Sequence, residues 1–223
     1  ANEGLDLVKA TASYTLSNNI ENLEMLEGAI NGTGNGLGNR ILGNDKDNTL
    51  TGKFGDDVYI GGKGDDVIVD NGGNNIITLS KGDGNDTIVL TTQESRAYST
   101  SEYKDGFIWN YNNFAKVSNE IVFSDIQRDE VSFSLSENNS IANNSLIIKY
   151  GDSDSIIIED FLENPELTKI TYSDGSFDSL EDIYNELTIE LLGTDQEDDM
   201  AGHDSIKNII HGQAGDDTIT GGK

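Results

Sequence analysis

The sequence contains no cysteine, one proline and only two histidines among its 223 residues. Without thiols there is no disulfide, no thiolate zinc site and no cysteine nucleophile, so an extracellular fold would need another staple. Basic residues are scarce as well, 14 Lys and Arg standing against 41 Asp and Glu for a formal charge of −27. So acidic a surface repels phosphate, which argues against nucleic acid and anionic membranes and leaves multivalent cations as natural partners. No apolar run reaches the roughly 18 residues of a membrane span. Beginning at Ala1 rather than Met, the sequence reads as a piece of something longer.

Glycine is abundant, at 25 residues, and its placement is periodic. Written in nines, the chain reads GNGLGNRIL (34–42), GNDKDNTLT (43–51), GKFGDDVYI (52–60), GGKGDDVIV (61–69) and DNGGNNIIT (70–78), then KGDGNDTIV (81–89). Position six is always Asp or Asn: Asn39, Asn48, Asp57, Asp66, Asn75 and Asp86. Position eight is large and mostly aliphatic: Ile41, Leu50, Tyr59, Ile68, Ile77 and Ile88. The pattern returns as GTDQEDDMA (193–201), a ten-residue unit GHDSIKNIIH (202–211) and QAGDDTIT after Gly212, and the sequence stops inside this second block. A polar, Gly-rich half followed by three apolar-patterned residues suits neither an amphipathic helix nor a hairpin strand. It predicts turn, short strand, turn, short strand, with two units per coil of a parallel solenoid and the eighth-position side chains stacked inside. A flexible linker could share the composition, but it would not place a large apolar residue at every eighth position.

Stacking turns two units apart brings sixth-position groups together: Asp66 with Asn48 and Asp86, Asp57 with Asn39 and Asn75, and Asp198 with Asp217. Two bare carboxylates at close range repel by about 4 kcal/mol at an effective dielectric of 20. Such an arrangement calls for a cation between the turns, and an all-oxygen donor set in flexible loops suits Ca²⁺ better than Mg²⁺. The pair Asp66 and Asp86, with two carboxylates, is the strongest expected site, and Asp57 with its Asn partners a weaker one.

GGKGDDVIV at 61 and QAGDDTIT from 213 resemble the nonapeptide G-G-x-G-x-D-x-U-x of the repeats-in-toxin (RTX) family, a motif associated with Ca²⁺-binding β-helices. The resemblance implies a parallel β-roll binding several Ca²⁺ ions, with turn backbone and the sixth-position side chain as ligands. On this sequence the turn positions are Gly43, Asp45, Asp47, Gly55, Gly61, Lys63, Gly64, Asp65, Gly82, Asp83 and Gly84. In the second block they are Gly193, Asp195, Gly212, Ala214, Gly215 and Asp216. The resemblance also implies export by a type I secretion system as part of a secreted or cell-surface toxin, adhesin or exoenzyme. Departures are Asn at 39, 48 and 75, Leu37 and Lys46 at the fourth position, and the extra residue in 202–211.

Residues 14–39 are similar to the lead-in often found ahead of such repeats, and Leu16, Ile20, Leu23, Leu26 and Ile30 are expected to extend the core as a cap. Between Thr91 and Glu190 the period gives way to alternation, as in LIIKY (146–150), IIIEDFL (156–162) and ITYSDGSF (170–177). These runs predict a small, mostly antiparallel β module with a tight turn at 173–175. Asp178 or Ser179 is expected to cap one helix bearing Leu180, Ile183, Tyr184 and Leu187. Residues 117–187 resemble the haemolysin-type calcium-binding-related domain that often follows repeat blocks. The fold class is thus mainly all-β: parallel β-roll, or β-helix, repeat blocks at both ends and a β-rich insert carrying one short helix. The boundaries are 1–33 for the lead-in, 34–90 for the first roll block, 91–190 for the insert and 191–223 for the start of the second.

Catalytic constellations fail on spacing. His203 and His211 cannot form a triad with their immediate neighbours or a zinc site alone. The carboxylates at 45, 47, 152 and 154 lack the Gly and Glu of a helix-loop-helix calcium loop. Trp109, Tyr111 and Phe114 could mark a ligand face, though aromatics on an alternating strand more often pack inside. The expectation is a monomeric, non-enzymatic Ca²⁺ module of a secreted toxin or adhesin, engaging the type I machinery during export and then a host-surface protein or glycan. The alternatives are the secretion and folding tail of an extracellular hydrolase, or a calcium-rigidified adhesin module whose insert binds a glycan or protein.

Overall fold

Each nine-residue unit forms one short strand, because three alternating residues are enough to bury a single side chain and the Gly-rich half turns the chain back. The computed structural model describes residues 4–90, 102–104, 107–109, 118–136, 144–162 and 166–222. Strands β1 (Leu7–Ala10), β2 (Tyr14–Thr15), β3 (Asn22–Met25), β4 (Asn31–Thr33) and β5 (Arg40–Leu42) open the roll. β6 (Thr49–Thr51), β7 (Val58–Ile60), β8 (Val67–Asp70), β9 (Ile76–Leu79) and β10 (Asn85–Leu90) continue it. Odd strands stack in one sheet and even strands in the other, and every pair among these ten is parallel.

The register places eighth positions on one another: Ile41, Tyr59 and Ile77 in one sheet, and Leu50, Ile68 and Ile88 in the other. All six are at most 1% exposed. Full burial contributes on the order of 1.5–3 kcal/mol for each aliphatic side chain, so this apolar column is the main adhesive of a coil otherwise made of turns. The lead-in supplies rungs rather than a lid. Leu16, Leu23 and Met25 are buried, whereas Ile30, expected in the core, is 55% exposed.

The insert contributes β11 (Glu102–Lys104) and β12 (Phe107–Trp109), an antiparallel pair. It continues with β13 (Asn119–Phe123), β14 (Ser132–Leu135), β15 (Leu146–Tyr150), β16 (Asp154–Ile158), β17 (Leu167–Thr171) and β18 (Phe177–Ser179). Antiparallel pairing holds for β14 with β15, β15 with β16, and β17 with β18. Three of its strands nevertheless prolong the roll in parallel: β13 on β9, β17 on β13, and β16 on β10. Ile121 and Ile158 thereby occupy the next rungs above Ile77 and Ile88. The insert is therefore built onto both sheets, whose parallel ladders end in antiparallel strands. Tyr111 and Phe114 lie outside the described residues, as does the side chain of Trp109.

Helix α1 (Leu180–Glu186) forms where expected, with Ser179 as its cap, the Asp182 N–H donating to Ser179 Oγ (3.3 Å), and Ile183 buried. Phe161 and His203 both pack on the Tyr184 ring, at 5.7 and 5.8 Å between centroids. Beyond the helix, β19 (Thr188–Leu192), β20 (Asp199–Ala201), β21 (Lys207–His211) and β22 (Thr218–Thr220) restart parallel pairing, β19 with β21 and β20 with β22.

Candidate metal sites between stacked turns

The turns stack in two flanks. One carries 34–39, 52–57 and 70–75, continued by Asn119. The other carries 43–48, 61–66 and 80–86. Along each flank the sixth-position side chains form a ladder with the backbone. The N–H of Asn39 donates to Asp57 Oδ1 (2.7 Å), that of Asp57 to Asn75 Oδ1 (2.8 Å) and that of Asn75 to Asn119 Oδ1 (3.1 Å). On the other flank the N–H of Asn48 donates to Asp66 Oδ1 (2.7 Å) and that of Asp66 to Asp86 Oδ1 (2.9 Å). Fifth-position side chains run a second, exposed ladder in the opposite sense: Asp65 N–H to Asp47 Oδ1, Asn85 N–H to Asp65 Oδ1, and Asn74 N–H to Asp56 Oδ1. Neighbouring turn amides are thus satisfied from both sides, which fixes the spacing of the coils.

Asp57, Asp66, Asn75 and Asp86 each give one oxygen to the ladder. Asn39 and Asn48 accept instead from the N–H of Asn35 and Asn44 in their own turns (2.7 Å each), and the remaining atom distinguishes Asn from Asp. At Asn39 and Asn48 the amide nitrogen donates to the carbonyls of Ile20 (3.0 Å) and Ala29 (3.3 Å). Their turns reinforce this with Asn35, donating to Ser17 and Ile20 carbonyls, and Asn44, donating to Leu26 and Ala29 carbonyls. Asn75 donates to the carbonyl of Gly73 and to Asn119 Oδ1. Asp66 and Asp86 have no such donor: the Oδ2 atom of each is buried and without a hydrogen-bond partner. Asp57 Oδ2 has only the Tyr59 hydroxyl, 3.4 Å away and equally far from Asp70 Oδ1.

A cation would supply what these oxygens lack, and the residues present fit one. Asp57 and Asp66 are 1% exposed and Asp86 2%. Burial drives their carboxyl pKa values up, to about 7 at Asp57, about 8 at Asp66 and about 7 at Asp86. At neutral pH each therefore holds a proton or needs a counter-charge. Glycine makes the room. A Cβ on Gly61 would lie 2.1 Å from Asp66 Oδ2, and Gly64 holds φ at +112° while its Cβ position falls 2.6 Å from the carbonyl carbon of Lys46. Among the described residues no three acidic or imidazole groups converge closely enough to hold an ion by side chains alone. A coordination shell here would have to be completed by turn carbonyls, as an oxygen-rich calcium site permits.

The remaining expected residues divide by exposure. Gly43, Gly61 and Asp83 are buried, with Gly55, Gly64 and Gly84 half-buried in the same turns. Asp45, Asp47, Lys63 and Asp65 point outward together with Gly82, and Lys63 pairs with Asp45 at 2.8 Å. In the second block Asp198 N–H donates to Asp217 Oδ1 (3.2 Å), so the expected pair does stack, but both residues are half-exposed. Gly193 and Gly212 are half-buried in those turns, while Asp195, Ala214, Gly215 and Asp216 are exposed. His203 and His211 sit apart on turn and strand, His211 facing Glu190 at 3.0 Å.

Sequence reading passed over several members of these stacks. Asn208 fills the sixth-position role in the ten-residue unit, accepting the His203 N–H through Oδ1 at 2.8 Å. Asn119 heads an Asn-x-Ile motif that is the tail of a repeat without its turn. Asp70 and Glu166 are buried, and neither oxygen of Glu166 has a hydrogen-bond partner. Both ladders end on apolar residues, with Leu167 beside Asn119 and Ile156 beside Asp86.

Comparison with protein families finds the RTX calcium-binding nonapeptide repeat in four copies, matching residues 33–68, 51–88 and 204–223. No curated protein matches the chain. The chain therefore carries RTX calcium-binding repeats in both blocks, and the turns that hold Asp57, Asp66, Asp86 and Asp217 lie within the matched segments.

Proposed function

We propose that this chain is a non-catalytic calcium-binding module of a large, type I-secreted bacterial toxin or adhesin, folding after export when Ca²⁺ becomes available. The observation that carries this reading is the pair of buried, partnerless oxygens on Asp66 and Asp86, stacked in matched repeat turns. The ions belong at Asp57, Asp66 and Asp86, with turn carbonyls completing each shell. The amides of Asn39, Asn48 and Asn75 already make the bonds an ion would replace.

At low calcium the carboxylates repel, the column of Ile41, Tyr59, Ile77 and their partners stays open, and an acidic extended chain remains threadable through an export channel. Bound Ca²⁺ neutralises the stacked carboxylates and ties successive turns together. Asp66 and Asp86 then hold adjacent turns at the register in which Ile68 and Ile88 pack. Each occupied site adds RT ln(1 + [L]/Kd), about 2.7 kcal/mol at a hundredfold ligand excess. A few such sites match the whole stability of an ordinary domain, about 5–15 kcal/mol. Limited proteolysis tests the reading. With chelator, cleavage is expected throughout residues 52–90, and with millimolar Ca²⁺ that segment resists. Equal resistance in both conditions would overturn it.

A further inference from the structure

We propose that the insert completes the cation site at Asp86, which the repeats alone leave unfinished, by bringing Asp154 and Tyr150 against the last turn of the second flank. This rests on the calcium reading above and extends it to residues outside every matched repeat segment.

Tyr150 and Asp154 are direct partners across the β15–β16 pair, and both are buried, at 2% and 9% exposure. Directly opposed side chains on one sheet face stand about 5 Å apart at Cβ, so the two share one interior face. β16 lies on β10 with Ile156 beside Asp86, so Asp154, two residues earlier, falls against the turn that ends the last matched repeat. The turn grips it there, the Gly82 N–H donating to Asp154 Oδ2 at 2.7 Å and the Ser155 N–H to the Gly84 carbonyl at 3.1 Å. Asp83 sits in the same turn, its Oδ2 accepting the Ser80 N–H at 2.7 Å.

Two polar atoms on the residues packed around this turn have no hydrogen-bond partner, Asp86 Oδ2 and the Tyr150 hydroxyl, although both residues are 98% buried. A buried hydroxyl and a buried carboxylate oxygen, both unpaired, in strands packed on one turn indicate a missing group. Charge decides its nature. Asp83 and Asp86 lie in one turn and Asp154 is bound to that turn through the Gly82 N–H, so three buried carboxylates share one neighbourhood. Lys81 turns its ammonium to Glu130, at 2.6 Å, and its N–H to Asp125. A water would leave the repulsion in place, whereas a divalent cation removes it. The carboxylates lie along the flank rather than around one point, so Asp86 and Asp154 act as ligands while Asp83 contributes charge, and carbonyls finish the shell. An open cleft beside Lys81, Gly82 and Gly151 reaches Asp154 from outside.

Equilibrium dialysis of the full chain against ⁴⁵Ca²⁺ tests the assignment with Asp154→Asn, which keeps an oxygen for the Gly82 N–H, and with Tyr150→Phe. Asp154→Asn is expected to bind one Ca²⁺ fewer per chain while keeping the β circular dichroism of the loaded parent. Tyr150→Phe is expected to weaken one site about tenfold and to leave the others unchanged. Should Asp154→Asn fail to fold at saturating calcium, Tyr150→Phe decides. Parental stoichiometry and affinity in the folded variants would overturn the insert's part in this site while leaving the calcium module intact. A parent chain that binds no Ca²⁺ at all would instead overturn the module.

Discussion

The turns at 43–48 and 61–66 lie one above the other on the same flank and share a register, yet one is closed with amides and the other is left open. Asn44 and Asn48 together donate three hydrogen bonds to the carbonyls of Leu26 and Ala29. One coil later Gly62 and Asp66 occupy the same positions, and the carboxylate faces inward with Oδ2 unpartnered. The amide coil satisfies itself. The carboxylate coil does so only with a proton or a cation, so one solenoid combines a self-sufficient start with an ion-dependent continuation.

The largest effect expected from breaking this contrast is at Asp66→Ala. It strips the Asn48 N–H of its acceptor, about 1–3 kcal/mol, and removes a site contributing about 2.7 kcal/mol at a hundredfold calcium excess. Calcium-loaded Tm should fall by many degrees, and by far more than for Asn75→Ala. Next is pH in the absence of calcium. Carboxyls whose pKa is raised on folding, to about 7 at Asp57 and about 8 at Asp66, stabilise the ion-free fold fully below about pH 4. That stability is lost as pH rises through 7 to 8. The chelated chain should therefore gain β signal between pH 8 and pH 5, while its calcium midpoint moves to higher concentration as protons compete.

Asp66→Asn sharpens the contrast from the other side. It keeps an oxygen for the Asn48 N–H and removes the charge, so the variant should need less calcium to fold while binding fewer ions by calorimetry. A smaller effect is expected from Asp217→Asn. That residue is half-exposed, in a block where Ile219 is 50% exposed, and the shift in calcium midpoint should be a fraction of that at Asp66.

Much of this was legible in the sequence because a nine-residue period fixes strand, turn and stacking partner at once. Asp66 above Asn48 and below Asp86 follows from counting alone. The continuation into the insert was hidden, because Asn119 and Ile121 keep the last residues of a repeat without the glycines that announce one. Asn208 was masked by the extra residue in its unit, which shifts it from sixth to seventh place. Ile30 looked like core by composition, but it lies just ahead of β4 and stays exposed, Gly32 taking the inward position of that strand. The backbone ladder could not be read either, since an Asp at position six names a charge without telling which of its oxygens the protein has already used.

The most direct test of the central claim is a far-ultraviolet circular dichroism titration of the chelated chain with calcium at pH 8, where the buried carboxyls can no longer rely on protons. A cooperative gain of β signal that chelator reverses is the predicted result. A chain whose full β spectrum is present before any calcium is added, and does not change afterwards, would contradict it.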